Sequence, residues 1–567
     1  MIQKLLALFF GFILSITVEI GYSQSLGASA IASAHPLATQ AGNKILDSGG
    51  NAFDAAIAIA STLAVVEPYS SGLGGGGFFL LHEANGNDIM LDARETAPAR
   101  STRTMFLDKN GDVDSALSMS GPLSAGIPGT PAALVHLAKK YGTLPLATVL
   151  GPAITHAKNG FNVTDRYRRW AKFRLSLLQR YPASARIFLY NNEVPPHGHL
   201  IKQPQLATTL EAIAKTGGDS FYRGETARQM VKAVSDAGGI WQLSDLHNYK
   251  LKERQPIIGQ FGDIKITTAA PPSSGGIVLV NMLNILAGYD LEKMKPAQQK
   301  HLTIEAMRRA YRDRAIYMGD PDFVSIPTSQ LLSQDYADQL RASINLNKAT
   351  PSDTLPGIKI KDSSHHTTHF SIIDKLGNRV SATLTINYPF GSGMVAGNSG
   401  VLLNDEMDDF SAKPGIPNAY GLVGAEANAI EPGKRPLSSM TPTFLETDDR
   451  IAILGTPGGS RIITMVLLAT LDFNAGNKPA SWVGLPRYHH QYLPDMVFYE
   501  PDAISNTEAK KLTGMGHKLK KLQSPYGDAQ ARYGNMQAIM WNKKQNSIYA
   551  ASDPRGEGSA TTSKPAK

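Results

Sequence analysis

The segment HHTTHFSIIDKLGNRVSATLTINYPFGSG, His365–Gly393, sets two threonines among three histidines at the head of an alternating pattern. The chain has 567 residues and no cysteine, so covalent acyl chemistry falls to a hydroxyl. A threonine hydroxyl is a weak nucleophile unless a base adjoins it. The bases at hand are His365, His366 and His369. A threonine at a chain start can instead use its own α-amine, whose unperturbed pKa of about 7.7–8.0 suits general-base work near neutrality. Thr367 is internal, so that route requires a cut before it. The polar, proline-containing stretch Lys348–Ser364 reads as an exposed loop that tolerates one. Two rivals stay open: a histidine-activated threonine in an intact chain, and a three-histidine metal site. The latter lacks an H-E-x-x-H pattern, and strand geometry sends His365 and His366 to opposite faces. A half-exposed threonine ladder is the structural alternative.

A nucleophile needs a place for developing negative charge. GTPGGSR, Gly455–Arg461, lies between an apolar strand and a helix, where glycines leave N–H groups unobstructed; a plain tight turn reads equally well. NDEMDDF, Asn404–Phe410, gathers Asp405, Glu406, Asp408 and Asp409. KRPLSSM, Lys434–Met440, sets hydroxyls beside cations, and Arg94 stands in LDARETAPAR. Converging on one pocket, such groups would grip a free amino-acid end, carboxylates on its ammonium and arginine with hydroxyls on its carboxylate. Each cluster by itself also reads as surface.

The elements that must position these groups follow from periodicity. His35–Ala64 reads as two Ala-rich helices broken at Asp47–Asn51. SSGLGGGGFFLL, Ser70–Leu81, lacks the Gly-Lys-Ser/Thr of a phosphate loop and reads as a close backbone approach entering a buried strand. Thr104–Ala185 is mostly helical by pattern. Glu253–Gly276 reads as strands leading to a helix from Ile277, and Leu302–Met318 as a helix with basic residues on one side. Phe370, Ile372, Val380, Ala382, Leu384 and Ile386 alternate about a KLGN turn. Folding there sets Thr367 opposite residue 385 or 386 and puts Thr367, Thr383, Thr385 and Asn387 on one face. Ile451–Leu471 reads as strand, glycine turn and helix, and the segment from Ile539 closes with a hairpin. Segregated strands and helices predict an α+β fold of packed sheets covered by helices.

Composition narrows the class. Apolar residues make up 42% and charged residues 18%, which is globular rather than disordered. The net charge of +8 is dispersed, and its densest run, KLKKL at Lys518–Leu522, reads as a solvated helix face; no nucleic-acid-binding signature accompanies it. Leu5–Val18 is an apolar run of 14 residues after Lys4, short for a membrane span and right for a signal-peptide core, with small residues suiting cleavage after Ser23. The expectation is a signal peptide over 1–23 and an exported protein, periplasmic or secreted.

HPLATQAGNKILDSGGNAFDAAIA, VVEPYSSGLGGGGFFLL, PPSSGGI, TTHFSIID, SGVLLNDEMDDFSAKPG, KRPLSSMTPT, GTPGGSRII and ASDPRGEG together resemble the gamma-glutamyltransferases, members of the N-terminal-nucleophile hydrolase group. The resemblance implies a four-layer αββα sandwich built from two autocleaved chains, 24–366 and 367–567, paired as a heterodimer. It implies cleavage of the His366–Thr367 bond, Thr367 as nucleophile and Thr385 as its hydrogen-bond partner and aid in processing. It implies that Asn387, Glu406 and Asp409 bind the substrate's α-amino group. Arg94, Ser438 and Ser439 then take its α-carboxylate, and Gly458 and Gly459 form the oxyanion hole. Transfer runs from glutathione or related γ-glutamyl compounds to amino acids, peptides or water, with no cofactor, metal or nucleic acid. Glu406 stands where some relatives carry glutamine, and Pro389 follows Asn387 where other small residues are familiar. Pro414–Ala429 has the length of a lid loop, with Tyr420 as its gate. A cephalosporin or glutaryl acylase of the same fold, and a catalytically silent exported binding protein, are the alternatives.

Overall fold

The computed structural model describes residues 26–355, 367–416, 422, 424–523 and 532–563. Its two large sheets use strands β1 (Ala30–Ser33), β2 (Gly76–His82), β3 (Asp88–Asp92), β4 (Lys252–Arg254), β5 (Ile257–Phe261), β6 (Ile264–Thr268), β7 (Thr368–Ile373), β8 (Arg379–Thr385), β9 (Thr443–Glu446), β10 (Arg450–Gly455), β11 (Gln537–Asn542), β12 (Ser547–Ser552) and β13 (Ser559–Thr562). The first sheet runs β13-β1-β7-β8-β2-β3-β4 and the second β12-β11-β10-β9-β6-β5, with antiparallel neighbours throughout.

Helices α1 (Pro36–Asp47), α2 (Ala52–Val66), α3 (Leu146–Asn159) and α4 (Pro204–Thr216) share a core with one face of the first sheet. Helices α5 (Gly275–Leu286), α6 (Pro296–Tyr317) and α7 (Ile462–Asn474) share a second core with the other sheet. The predicted layering of helix, sheet, sheet and helix is the observed one. α2 is buried on every side, which its near-continuous Ala, Ile, Leu and Val allow; Asn51 caps it by accepting from the Phe53 and Asp54 amides, both at 2.9 Å.

Strand parity decides which side chains meet between the sheets. Phe370, Ile372, Val380, Ala382 and Leu384 join the helical core, where each large apolar side chain contributes roughly 1.5–3 kcal/mol by leaving water. The opposite set, His369, Ser371, Ser381 and Thr383, faces the second sheet. Ser371 donates to the Gln537 carbonyl at 3.1 Å and Ser381 to that of Leu454 at 3.0 Å. The ladder is therefore wholly buried, because a second sheet covers the face that sequence alone leaves half-exposed.

One other expectation is corrected. Lys518–Leu522 lies on a short strand, Leu519–Lys521, pairing parallel with Val497–Tyr499, and not on a helix. Of the basic residues of α6, Arg308, Arg309 and Arg314 are buried. Glu305 answers Arg308 at 3.2 Å and Arg309 at 2.6 Å.

Candidate active site

Thr367 precedes β7 by one residue. Thr368 pairs with Leu384, so Thr367 falls opposite Thr385, as the hairpin reading expects. Both threonines line one cavity. The glycine run fits beside them: a Cβ on Gly75 would lie 2.1 Å from the Thr385 carbonyl oxygen, so only glycine lets β2 enter there. Asn387, held at φ 71° just past β8, donates its backbone N–H to the Thr385 hydroxyl at 2.7 Å. Glu406 lines the same cavity as Thr385.

Glu406–Asp409 forms one 3-10 turn. Residues i and i+3 eclipse in such a turn, so Glu406 and Asp409 point together. Both grip the Arg94 guanidinium, Glu406 at Nη1 and Asp409 at Nη2. Glu95 adds a third carboxylate at 3.5 Å, and the Pro436 carbonyl accepts from Nε at 3.1 Å. Asp405 and Asp408 turn elsewhere: Asp405 accepts from the Tyr388 amide at 2.9 Å and Asp408 from the Ser118 hydroxyl at 2.6 Å. Only half of the predicted acidic cluster serves the site. Burial pushes the Glu406 carboxyl up to about 7, with Arg94 opposing and Asp409 adding to the rise. Burial likewise raises Glu95 and Asp409, while Arg94 is held firmly cationic against burial by Glu406, Asp409 and Glu95.

Ser438 and Ser439 reach the cavity in an extended segment docked on the PPSSGG loop. The Ser438 amide donates to the Pro272 carbonyl at 2.9 Å, and the Ser274 amide to that of Ser438 at 2.9 Å. Lys434 pairs with Glu431 at 2.8 Å and Arg435 approaches Asp92 at 3.4 Å, so neither cation of the KRPLSSM motif lines the site. Gly458 (φ 142°) and Gly459 (φ 56°) make the turn from β10 toward α7, a backbone that L side chains rarely adopt. Gly459 lines the cavity, whereas Gly458 and Asn387 are not among its lining residues. Between these walls remain about 20 Å³, room for roughly one water molecule.

His369 is spent elsewhere. Its Nδ1 bonds Thr383 Oγ1 at 2.8 Å and its Nε2 lies 3.3 Å from Ser371 Oγ. Burial lowers its pKa to about 3, so it is a neutral packing group and a poor base. Another three-ligand group, His301, Glu305 and His517, exists among the described residues. There His301 bonds His517 at 2.7 Å and the Asn345 carbonyl at 2.8 Å, and Glu305 answers two arginines, while His517 Nδ1 is buried without a hydrogen-bond partner among the described residues. His365, His366, Tyr420 and the apolar run Leu5–Val18 lie outside the described residues.

Three contributors escaped the sequence reading: Glu95, Ser274 and Arg314. Glu95 follows Arg94 directly, and Ser274 lies in a motif that was noted. Arg314 sits in α6 with Arg308, Arg309 and Arg312 close by in sequence, and no local pattern marks it as buried.

The gamma-glutamyltranspeptidase sequence profile matches residues 38–563. The chain is 43% identical over 535 residues to a glutathione hydrolase proenzyme of Escherichia coli, covering 93% of this chain and 90% of that one. It is 36% identical over 552 residues to one of Bacillus subtilis, covering 94% and 90%. Among solved structures it resembles a cephalosporin acylase from Bacillus halodurans (TM-score 0.82, 28% identity, 94% of this chain and 95% of that one). It also resembles the gamma-glutamyltranspeptidase of Helicobacter pylori (TM-score 0.56, 41% identity, 57% of this chain and 94% of that one).

Proposed function

The chain belongs to the gamma-glutamyltranspeptidase family, and on that premise we propose how its residues divide the work. The protein is a γ-glutamyltransferase and glutathione hydrolase made as an autoprocessed proenzyme. Cleavage before Thr367 yields one chain ending at His366 and one of 201 residues beginning at Thr367. The interleaving of strands supports that division: β7, β8 and β13 lie among β1–β4 in one sheet, so the two products stay folded together. The freed α-amine takes the proton of its own hydroxyl, and Oγ attacks the γ-carbonyl carbon of the donor. The N–H groups at Gly458 and Gly459 receive the oxyanion. Collapse breaks the amide bond, the amine returns the proton to the leaving nitrogen, and a γ-glutamyl ester remains on Thr367. An amino acid, a peptide or water then attacks that ester and regenerates the hydroxyl.

One observation carries the reading: Thr367, Thr385, Arg94, Glu406, Asp409, Ser438, Ser439 and Gly459 converge on one buried cavity from segments far apart in sequence. Glu406 and Asp409 supply the α-ammonium site, with Asn387 behind them, and Arg94 with the serine pair the α-carboxylate site. An acylase needs no such zwitterion grip, which favours the glutamyl donor although an acylase shares the architecture. A silent binding protein would not cut itself. Export rests on the N-terminal apolar run; among the described residues no helix is long and apolar enough to cross a membrane. The test is glutamate release from glutathione by the purified protein and by Thr367→Ala: release by the former alone supports the reading, and equal rates refute it.

A further inference from the structure

Arg314, in the last turn of α6, lines the cavity and is 4% exposed. Its Nε donates to Ser274 Oγ at 2.9 Å and its Nη2 to Ser439 Oγ at 3.2 Å. Ser274 Oγ in turn donates to the Ser438 carbonyl at 2.7 Å, so its lone pairs face Arg314 and its proton fixes the serine segment. Ser439 accepts from Arg314, which leaves its own hydroxyl proton to be donated to a ligand.

The two arginines of the cavity differ in kind. Arg94 meets Glu95, Glu406, Asp409 and the Pro436 carbonyl, leaving it little donor capacity. Arg314 has two hydroxyl partners, and among the described residues no carboxylate lies within ion-pair distance of it. Asp409 acts on it only as a more distant charge. A buried cation without a contacting anion is costly to keep. Burial lowers its pKa, to about 10, yet it stays charged at neutrality. The cavity therefore has an acidic side with three carboxylates on one guanidinium, and a cationic side at Arg314 with serine hydroxyls beside it. Those two sides match the ammonium and the carboxylate of a zwitterion.

We propose that Arg314 is a second cationic contact for the α-carboxylate of the donor, acting with Ser438 and Ser439, and that it sets selectivity for γ-glutamyl donors over acyl donors lacking that carboxylate. The proposal rests on the function argued above. It differs from the role given to Arg94, because Arg314 answers the carboxylate without drawing on the acidic group that holds the ammonium.

Two chromogenic donors separate the possibilities, γ-glutamyl-p-nitroanilide and 4-aminobutyryl-p-nitroanilide, which differ only in the α-carboxylate. Each is assayed with processed wild type, Arg314→Gln, Arg314→Lys, Ser274→Ala and Arg94→Lys. Arg314→Gln lowers kcat/KM for the γ-glutamyl donor about ten- to a hundredfold, chiefly through KM, and leaves the aminobutyryl donor within about threefold. Arg314→Lys shifts the ratio of the two donors less, and Ser274→Ala, which misaims the guanidinium and loosens the serine segment, shifts it in the same direction. Should Arg314→Gln stay unprocessed, the lysine and Ser274→Ala variants decide. An unchanged donor ratio in the processed Arg314 and Ser274 variants overturns the proposal. If wild type itself shows no preference for the γ-glutamyl donor, the underlying function falls instead. If wild type prefers it and Arg94→Lys alone loses the preference, only the assignment of Arg314 falls.

Discussion

At Thr367 Oγ, the identity of the base decides the pH profile. An α-amine base makes kcat/KM rise with pH through the pKa of that amine, because only its neutral form accepts the proton. His369 is engaged at both ring nitrogens and buried, so processed His369→Ala keeps most of its acylation rate and the same rising limb in stopped-flow acylation. Collapse of acylation with Thr367 free at the chain start would make histidine the base. At Arg94, an ammonium cannot reproduce a guanidinium that serves two carboxylates at separate nitrogens. Arg94→Lys raises KM for glutathione about ten- to a hundredfold, the loss of one charge-assisted contact of roughly 1.5–3 kcal/mol; an unchanged KM in steady-state assays would remove Arg94 from the carboxylate site. Most of these residues were legible because their types are rare in combination and stand in short motifs. Arg314 was not, since a cation on a long helix looks solvated until the elements around that helix are known. Asp405 and Asp408 share the sequence cluster but not the cavity, because a cluster in sequence becomes a cluster in space only at the period of the turn that carries it.

At the scale of elements, α6 is the part whose charges most depend on packing. Burial opposes ionisation of Glu305, but Arg308 and Arg309, with the Thr350 amide at 3.1 Å, outweigh it and hold the carboxyl at about 2. A depressed carboxyl stabilises the fold above its unfolded value of about 4.5 and loses that contribution as pH falls toward 2. The shift is worth on the order of 3 kcal/mol. Thermal unfolding midpoints should therefore drop for the wild type between about pH 4.5 and pH 2, and the Glu305→Gln midpoint, lower at pH 7, should drop less in that window; parallel curves would show that Glu305 contributes nothing. The same network reaches the residues ahead of the proposed cut. Arg308 bonds Ser352 and Asp495, the Ser352 amide donates to Asp495 at 3.1 Å, and the Ala349 amide donates to the Met515 carbonyl at 2.7 Å. Residues 349–352 are thus fastened by polar contacts to segments that follow Thr367 in the chain. Helix α6 itself could be read from periodicity, as could the β7–β8 hairpin and the glycine turn before α7. That neither face of the hairpin meets water could not, because that depends on a second sheet formed by strands far along the chain.

The whole molecule is two sheets woven from both sides of residue 367. β1–β6 precede it and β7–β13 follow it, and each sheet takes strands from both sets. An internal threonine at the head of a central strand has its amine locked in a peptide bond; a cut there frees the amine without removing any strand from either sheet. This arrangement links fold to the proposed function, since a break before Thr367 would cost the two sheets no strand. The layering was legible as segregated strands and helices, whereas the interleaving was not, because strand order depends on pairings between distant segments. The central claim is that Thr367 makes its own catalytic terminus. Its most direct measurement is N-terminal sequencing of the smaller band from purified wild-type protein beside a denaturing gel of Thr367→Ala. The small band should begin Thr-Thr-His-Phe-Ser, and Thr367→Ala should run as one uncut chain. A small band starting elsewhere, or a Thr367→Ala chain cut as fast as wild type, would contradict it.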